Sequence, residues 1–573
     1  MKKQILYIGI ALAMCSCGFL DKEPDDRATI DTKKKVELLL ASAYELPNYG
    51  PLGEVCSDNT VDNNTSDSEG KYRTEDPMSQ MYHNFFRWEA VTNYSQQDSP
   101  YMIWNQCYFN IAVANQALSA IEEIEAKDPT QDLSAERAEA LLIRAYNHFL
   151  LANIFCQAYK GDELSKNDLG IHYMDAVETT VKPQYSRGTV TDTYKHIQAD
   201  LEAALPNVSD DYYSVPKYHF NMKAAYAFAA KFYLFKRDYA KCIEYANKVL
   251  GTTTESASAM MWDAATAKTK GNAEQERYCW INEKDNSNLL LCTTMSFQMR
   301  AYSTSYCRYT CNRGIRYYVL GDKEHWTESV CWTNSFPGFV MWSYDQNIGS
   351  FSCKIMYYFE YTNKVAGIGY AHTMRRELTA NELILTRAEA EIMTGSYAAA
   401  LSDMNVWAAS YGCETMKETD ITNSSAQYKE LYTINTPKDA SKSTYWKLNP
   451  VAPTLHTSEM GFETIVEGSD KEKYINICLD LRRIETLYDG NRFFDLKRYG
   501  ISISHVYDDN GVDYQITLNT NDDRYAIQIP QEAILAGHEA NPGYNTSTGG
   551  AAAVITPITL YTTPIKDKLI KAE

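Results

Sequence analysis

A helical period that returns in stretch after stretch constrains this chain more than any other feature. From Ala138 the residues Leu141, Ala145, Phe149, Ala152 and Cys156 recur at steps of three or four, with Glu136, Glu139 and Arg144 set among them. This is the pattern of a long amphipathic helix, whose apolar stripe must be covered by a neighbour. Similar stretches run over 36–44, 101–124, 190–205, 222–250 and 380–409. Two of them resemble each other: Ala230 matches Ala388, Tyr239 matches Tyr397, Ile243 matches Leu401 and Asn247 matches Asn405, all at one offset of 158 residues. Small residues let two helices approach closely, and a Tyr ahead of the second helix can fill the turn, as in tetratricopeptide-type hairpins. The sequence therefore predicts a mainly α fold on a tetratricopeptide-like helical-repeat scaffold.

Between the helices the composition changes. Residues 50–100 are rich in Asn, Asp, Ser, Thr and Tyr, and residues 252–375 mix Gly, Asn, Thr and aromatics without a sustained period. Both read as long loops with short strands, and loops of that length are usually functional. The second carries Trp280, Trp326, Trp332 and Trp342 beside Tyr302, Tyr306, Tyr309, Tyr317 and Tyr318. Such rings offer flat apolar faces with polar edges, suited to stacking on sugars. The competing use of each ring is to pack its loop onto the scaffold.

The N-terminus reads as an export signal. Lys2 and Lys3 precede an apolar run from Ile5 to Met14 that ends at Cys15-Ser16-Cys17. The run is too short to span a bilayer, and Cys17 is the expected lipid-attachment residue of a lipoprotein. The charged run from Asp21 to Asp26 then serves as a flexible stalk. The formal charge is −19, and loss of Lys2 and Lys3 with the signal makes the body more acidic. That balance argues against nucleic acid and anionic lipid as partners. Apart from Cys15 and Cys17, the cysteines are even in number, compatible with disulfides or with buried thiols. Cys307 and Cys311 have a spacing that could suit a metal, but no second Cys or His pair follows, so no metal site is expected.

Enzyme motifs are absent: there is no Gly-x-Ser-x-Gly elbow, no His-Glu-x-x-His helix and no phosphate loop. No catalytic residue and no cofactor is expected. Asp62, Asn64 and Ser66 imitate the start of a calcium loop, but Asp67 stands where the turn wants Gly and Arg73 where a bidentate Glu is required. Near the C-terminal end, a helix carrying Arg482, Arg483 and Glu485 should stop near Gly490. A further turn should then bury Phe493, Phe494 and Leu496 and set Arg492 against Asp495 as an ion-paired corner.

That corner, together with the start Cys17-Gly-Phe-Leu-Asp-Lys-Glu-Pro24, resembles the SusD/RagB family of surface glycan-binding lipoproteins. Other landmarks are similar in the expected order: Trp104 with Asn115, Arg137 to Phe155, Arg187-Gly-Thr-Val with Asp200 and Leu205-Pro206, Arg387-Ala-Glu-Ala390 through Asn405, and Ile529-Pro-Gln-Glu532 with Asn541-Pro-Gly-Tyr544. The resemblance implies a SusD-like α-α superhelix of four helix pairs, with long loops and a few short strands. It implies a signal peptide at 1–16, a lipidated stalk at 17–32 and a single domain at 33–573. Within that domain, helical repeats fall at about 33–250 and 376–500, binding loops at 50–100 and 252–375, and a loop-and-strand region at 501–573. It further implies an outer-membrane lipoprotein facing the cell exterior, which binds a glycan without cleaving it and serves as the lid of a TonB-dependent (SusC-like) transporter. Candidate ligand contacts, chosen by position and chemistry, are Trp88, Tyr94, Gln97, Tyr302, Arg308, Trp326, Trp332 and Trp342. A binder of a non-glycan nutrient such as peptide, a helical glycoside hydrolase and a protein-only adaptor are the alternatives.

Overall fold

The computed structural model describes residues 29–62, 79–91, 94–180, 185–264, 273–303, 308–311, 341–342, 351–413, 415–421, 455, 458–462, 464–509, 512–544 and 556–557. The signal and Cys17 lie outside them.

Helices form where the apolar period is sustained. In chain order the principal ones are α1 (Lys33–Ala41), α2 (Gly50–Val55), α3 (Ser79–Phe86), α4 (Pro100–Lys127), α5 (Ser134–Phe155), α6 (Val190–Ala204), α7 (Met222–Lys236), α8 (Tyr239–Leu250), α9 (Ala380–Met393), α10 (Tyr397–Ser410), α11 (Asp470–Glu485) and α12 (Asn491–Tyr499). Their starts are chemically marked. Ser99 accepts from Met102 N ahead of Pro100, and Thr189 with Asp192 forms a capping box on α6, so backbone donors that a helix leaves orphaned are satisfied. No helix among the described residues is long and apolar enough to cross a membrane.

Helix α5 is buried almost all round and packs between α4 and α6, and α9 is likewise enclosed by α7, α8, α10 and α11. The hairpins α7–α8 and α9–α10 reproduce the 158-residue correspondence in detail. Arg237 (φ 66°) and Gly395 (φ 84°), which match at that offset, both turn the chain through the left-handed region. Asp238 and Ser396 then take the N-cap position, and Tyr239 and Tyr397 open the second helices.

A repeated polar clasp ties successive helices together. Arg144 on α5 grips Asp200 on α6 with two bonds of 2.7 and 2.6 Å, while its Nη1 donates to Asn115 on α4 and to the Asp175 carbonyl. Arg387 on α9 grips Asp403 on α10 at 2.7 and 2.8 Å, and its Nη1 donates to Asn247 on α8 and to the Gly251 carbonyl. In both, one arginine joins the helix before it to the helix after it through a bidentate fork, the strong geometry for a guanidinium.

Strands fill the spaces between helices: β1 (Val61–Asp62), β2 (Asn288–Met295), β3 (Tyr309–Thr310), β4 (Tyr357–Asn363), β5 (Ile368–Thr379), β6 (Ile503–Asp509) and β7 (Val512–Leu518). β5 is the centre of an antiparallel sheet with β2 on one side and β4 on the other. The described part of the 252–375 segment is thus more regular than its sequence suggests. Leu289, Leu290, Leu291 and Cys292 are all buried, so β2 lacks the alternation by which a half-buried strand is recognised. β6 and β7 form a hairpin in the expected C-terminal strand region.

The C-terminal corner is ion-paired, but not as the sequence suggested. α11 ends at Glu485, and the chain turns through Tyr488 (φ 73°) and Gly490 (φ 86°) into α12. Arg492 does not face Asp495; it binds Asp58 after α2 at 2.8 and 2.9 Å, while Asp495 receives Arg498 at 2.6 Å and Arg482 at 3.2 Å. α2 reaches the turn because Gly53 lets the backbones touch: a Cβ there would lie 2.2 Å from the Gly490 carbonyl oxygen. Cys56, Cys107, Cys156, Cys242, Cys292 and Cys478 are buried thiols without disulfides, and burial raises their pKa, which makes them inert.

Candidate functional site

The two long loops meet in a short ribbon. β1 belongs to the 50–100 segment and β3 to the 252–375 segment, and they pair antiparallel with Val61 opposite Thr310 and Asp62 opposite Tyr309. Arg308 locks the pairing by gripping Asp62 at 2.8 and 3.0 Å. Both side chains are buried, so each neutralises the other away from water.

Beneath this ribbon runs a ladder of rings. Tyr309 stacks on Phe86 at 4.7 Å, Phe86 on His505 at 4.0 Å and His505 on Trp88 at 4.3 Å. β6 supplies His505, which faces the carbonyl oxygens of Phe86 and Ser57 at 2.7 and 2.9 Å. Burial pushes this imidazole down to about 4, against the pull of those two carbonyls. His83 on α3 bonds the Tyr309 hydroxyl. Burial, then Arg87 and Arg308, press it down to about 3, so it is neutral at physiological pH.

The segment from Trp88 to Asp98 is held at both ends in backbone conformations that non-glycine residues rarely adopt, φ 51° at Trp88 and 66° at Asp98. Each end is over-determined. Trp88 Nε1 donates to the Cys56 carbonyl at 3.0 Å, and the Asp98 carboxylate accepts from Phe297 N at 2.9 Å. Burial pushes the Asp98 carboxyl up to about 7. Strain of this kind persists where the surroundings fix it, and it clusters at binding segments. Tyr94 and Gln97 lie between these anchors. Both are half-buried; Tyr94 packs against the core, and Gln97 has a buried Oε1 with no hydrogen bond.

The residues singled out from the sequence divide accordingly. Trp88 is 1% exposed, Tyr302 is 1% exposed and stacks on Tyr82, and Arg308 is spent on Asp62. These three lie buried in the frame. Tyr94 and Gln97 sit at its half-open edge. Trp326 and Trp332 lie outside the described residues; Trp342 is in a short strand paired with Phe351–Ser352, and its ring also lies outside them. Asp62, read from sequence as a poor calcium-loop start, is the ion-pair partner of Arg308. His83 and His505 escaped the sequence reading, and Tyr309 stood there only among the other loop aromatics, because nothing in the chain marks which side chains meet. Among the described residues no group of three or more His, Cys, Asp or Glu side chains is arranged to hold a metal.

With this geometry in place, comparison with known proteins gives the class. Residues 18–234 match a family model described as starch-binding, associating with the outer membrane. Residues 260–573, more than half of the chain, match the model of the SusD family. The chain belongs to the SusD/RagB family. Solved structures of similar fold include a SusD superfamily protein of Bacteroides thetaiotaomicron (15% identity, TM-score 0.56, covering 90% of this chain and 100% of that one). Another is a putative sugar binding protein of Bacteroides vulgatus (17%, TM-score 0.55, 91% and 100%), and a third is a laminarin binding SusD-like protein (15%, TM-score 0.50, 90% and 100%). At these identities the likeness establishes the fold. No curated protein matches the chain.

Proposed function

We propose that this protein is a cell-surface lipoprotein, anchored through Cys17, that binds an oligo- or polysaccharide without cleaving it and delivers it to a TonB-dependent transporter as its lid. The observation that carries this reading is the β1–β3 pairing, which joins the 50–100 segment to the 252–375 segment. Membership of a family whose model is described as starch-binding and outer-membrane-associated supports it, as do structural relatives described as sugar and laminarin binders.

In this reading Trp326, Trp332 and Trp342 stack on sugar rings, and Tyr94 and Gln97 complete the rim. Trp88, Tyr302 and Arg308 act through the frame. A tethered binder raises ligand concentration at the transporter mouth, so modest affinity with fast release is sufficient. Two measurements test the non-catalytic lid: the full-length chain, purified gently from its own outer membrane, should bring with it a TonB-dependent transporter, and incubation with the bound glycan should release no new reducing ends. New reducing ends would make it a glycoside hydrolase on a helical scaffold, and recovery without a transporter would remove the lid.

A further inference from the structure

The hairpin β4–β5 stands out from the body with an apolar tip. Val365 in its turn is fully exposed, and Phe359, Tyr361, Ile368 and Tyr370 are each about half exposed. In the antiparallel register Phe359 lies across from Ala371 and Tyr361 across from Gly369. Both aromatic rings therefore sit beside small residues on one face, 4.9 Å apart and inclined by 71°. Glu360 lies on the other face, across from Tyr370, with its carboxylate 3.5 Å from His372.

β4 is also the edge of its sheet. β5 covers one side, and on the other no strand follows in the sheet order among the described residues. Proteins normally blunt such an edge with Pro, Lys or a covering loop. Here Tyr357–Asn363 has neither Pro nor Lys, and its residues from Phe359 to Asn363 are exposed. A lipid surface would leave the outward backbone N–H and C=O groups unsatisfied. Rings inclined by 71° make no flat platform for a sugar. An added strand answers both features, pairing the backbone and covering alternate side chains. A second copy of this chain fits poorly, since an antiparallel pair that sets Phe359 against Tyr361 also sets Glu360 against Glu360, a like-charge contact that disfavours pairing.

We propose that β4 is the docking edge for an extended segment of a partner protein, which joins the sheet as a further strand, with alternate apolar residues packing on Phe359 and Tyr361 and a basic residue meeting Glu360. This goes beyond glycan capture and does not depend on it. The test places the photo-crosslinker p-benzoylphenylalanine at Tyr361 in the full-length chain in its own cells, with mass spectrometry of the adducts. The expected adduct is to one contiguous partner segment with alternating apolar residues and a Lys or Arg. Phe359→Lys, and Glu360→Lys on the opposite face, should each lower its yield about tenfold, the loss of one good contact, in protein whose cooperative unfolding transition shows that it is still folded. Adducts to other copies of this chain or to lipid, no adduct, or a yield indifferent to both substitutions would overturn the proposal.

Discussion

Replacing Asp58 by Asn should lower the free energy of unfolding by about 3–5 kcal/mol, the usual cost of removing one partner from a buried ion pair. Asp58 is the carboxylate on which two arginines converge after α2: Arg492 at 2.8 and 2.9 Å and Arg483 at 3.4 Å. All three side chains are about 1% exposed. Asn preserves the shape, so no cavity forms, but the carboxylate charge on which both buried guanidinium groups converge is lost. Arg483 keeps its bonds to the Asn59 side chain and the residue-58 carbonyl, which satisfy its hydrogens without neutralising it. Burial alone would raise the Asp58 pKa, but Arg483 and Arg492 override it and hold the carboxyl well below the usual carboxylate range. A depressed folded pKa gives stability that is complete above the unfolded value of about 3.9 and is lost as pH falls through the folded one. Urea unfolding should therefore show the full deficit at pH 7 and a shrinking deficit below about pH 4. A variant within about 0.5 kcal/mol of the parent at pH 7, the range of ordinary surface substitutions, would contradict this role.

The second large effect is expected at Glu389 on α9. Its carboxylate receives Arg498 at 2.9 and 3.1 Å, the Tyr499 hydroxyl and Arg482, all buried. Asp495 shares both arginines. α9, α11 and α12 are thus joined through one alternating network rather than by apolar contact alone. Glu389→Gln leaves Asp495 facing two arginines, and the expected loss is again about 3–5 kcal/mol in denaturant unfolding. Native-state hydrogen exchange should show that loss concentrated in α11 and α12. Equal loss across all helices would mean that the corner does not act as a local clamp.

How much of this was legible in the chain depends on how local each interaction is. The 380–409 period marked α9 and α10 because their apolar positions repeat within a few residues, and the 158-residue offset exposed the hairpin because corresponding turns need corresponding residues. The corner was legible as helix, turn and helix, yet its pairing was not, since Arg492 finds Asp58 across 434 positions. A spacing of three along a helix suggested Asp495 instead, and tertiary packing overrode it. The candidate site shows the same division. Loop composition located the two segments that meet, but Arg308 and Asp62 are 246 residues apart, and no feature of either segment announces the other. Trp88 illustrates the ambiguity of aromatics: nothing in its sequence neighbours tells that its ring is buried against His505 rather than open to solvent.

Glycan capture by the converging loops is decided by native affinity electrophoresis of the chain from Gly18 onward, through gels containing plant, host and microbial polysaccharides, with Trp326→Ala and Trp332→Ala alongside. The expected result is retardation of the parent by one polymer and its loss in at least one variant, while both variants migrate as the parent does in gels without polymer. Unretarded migration in every gel, or retardation that survives both substitutions, would contradict a glycan site built from these loops.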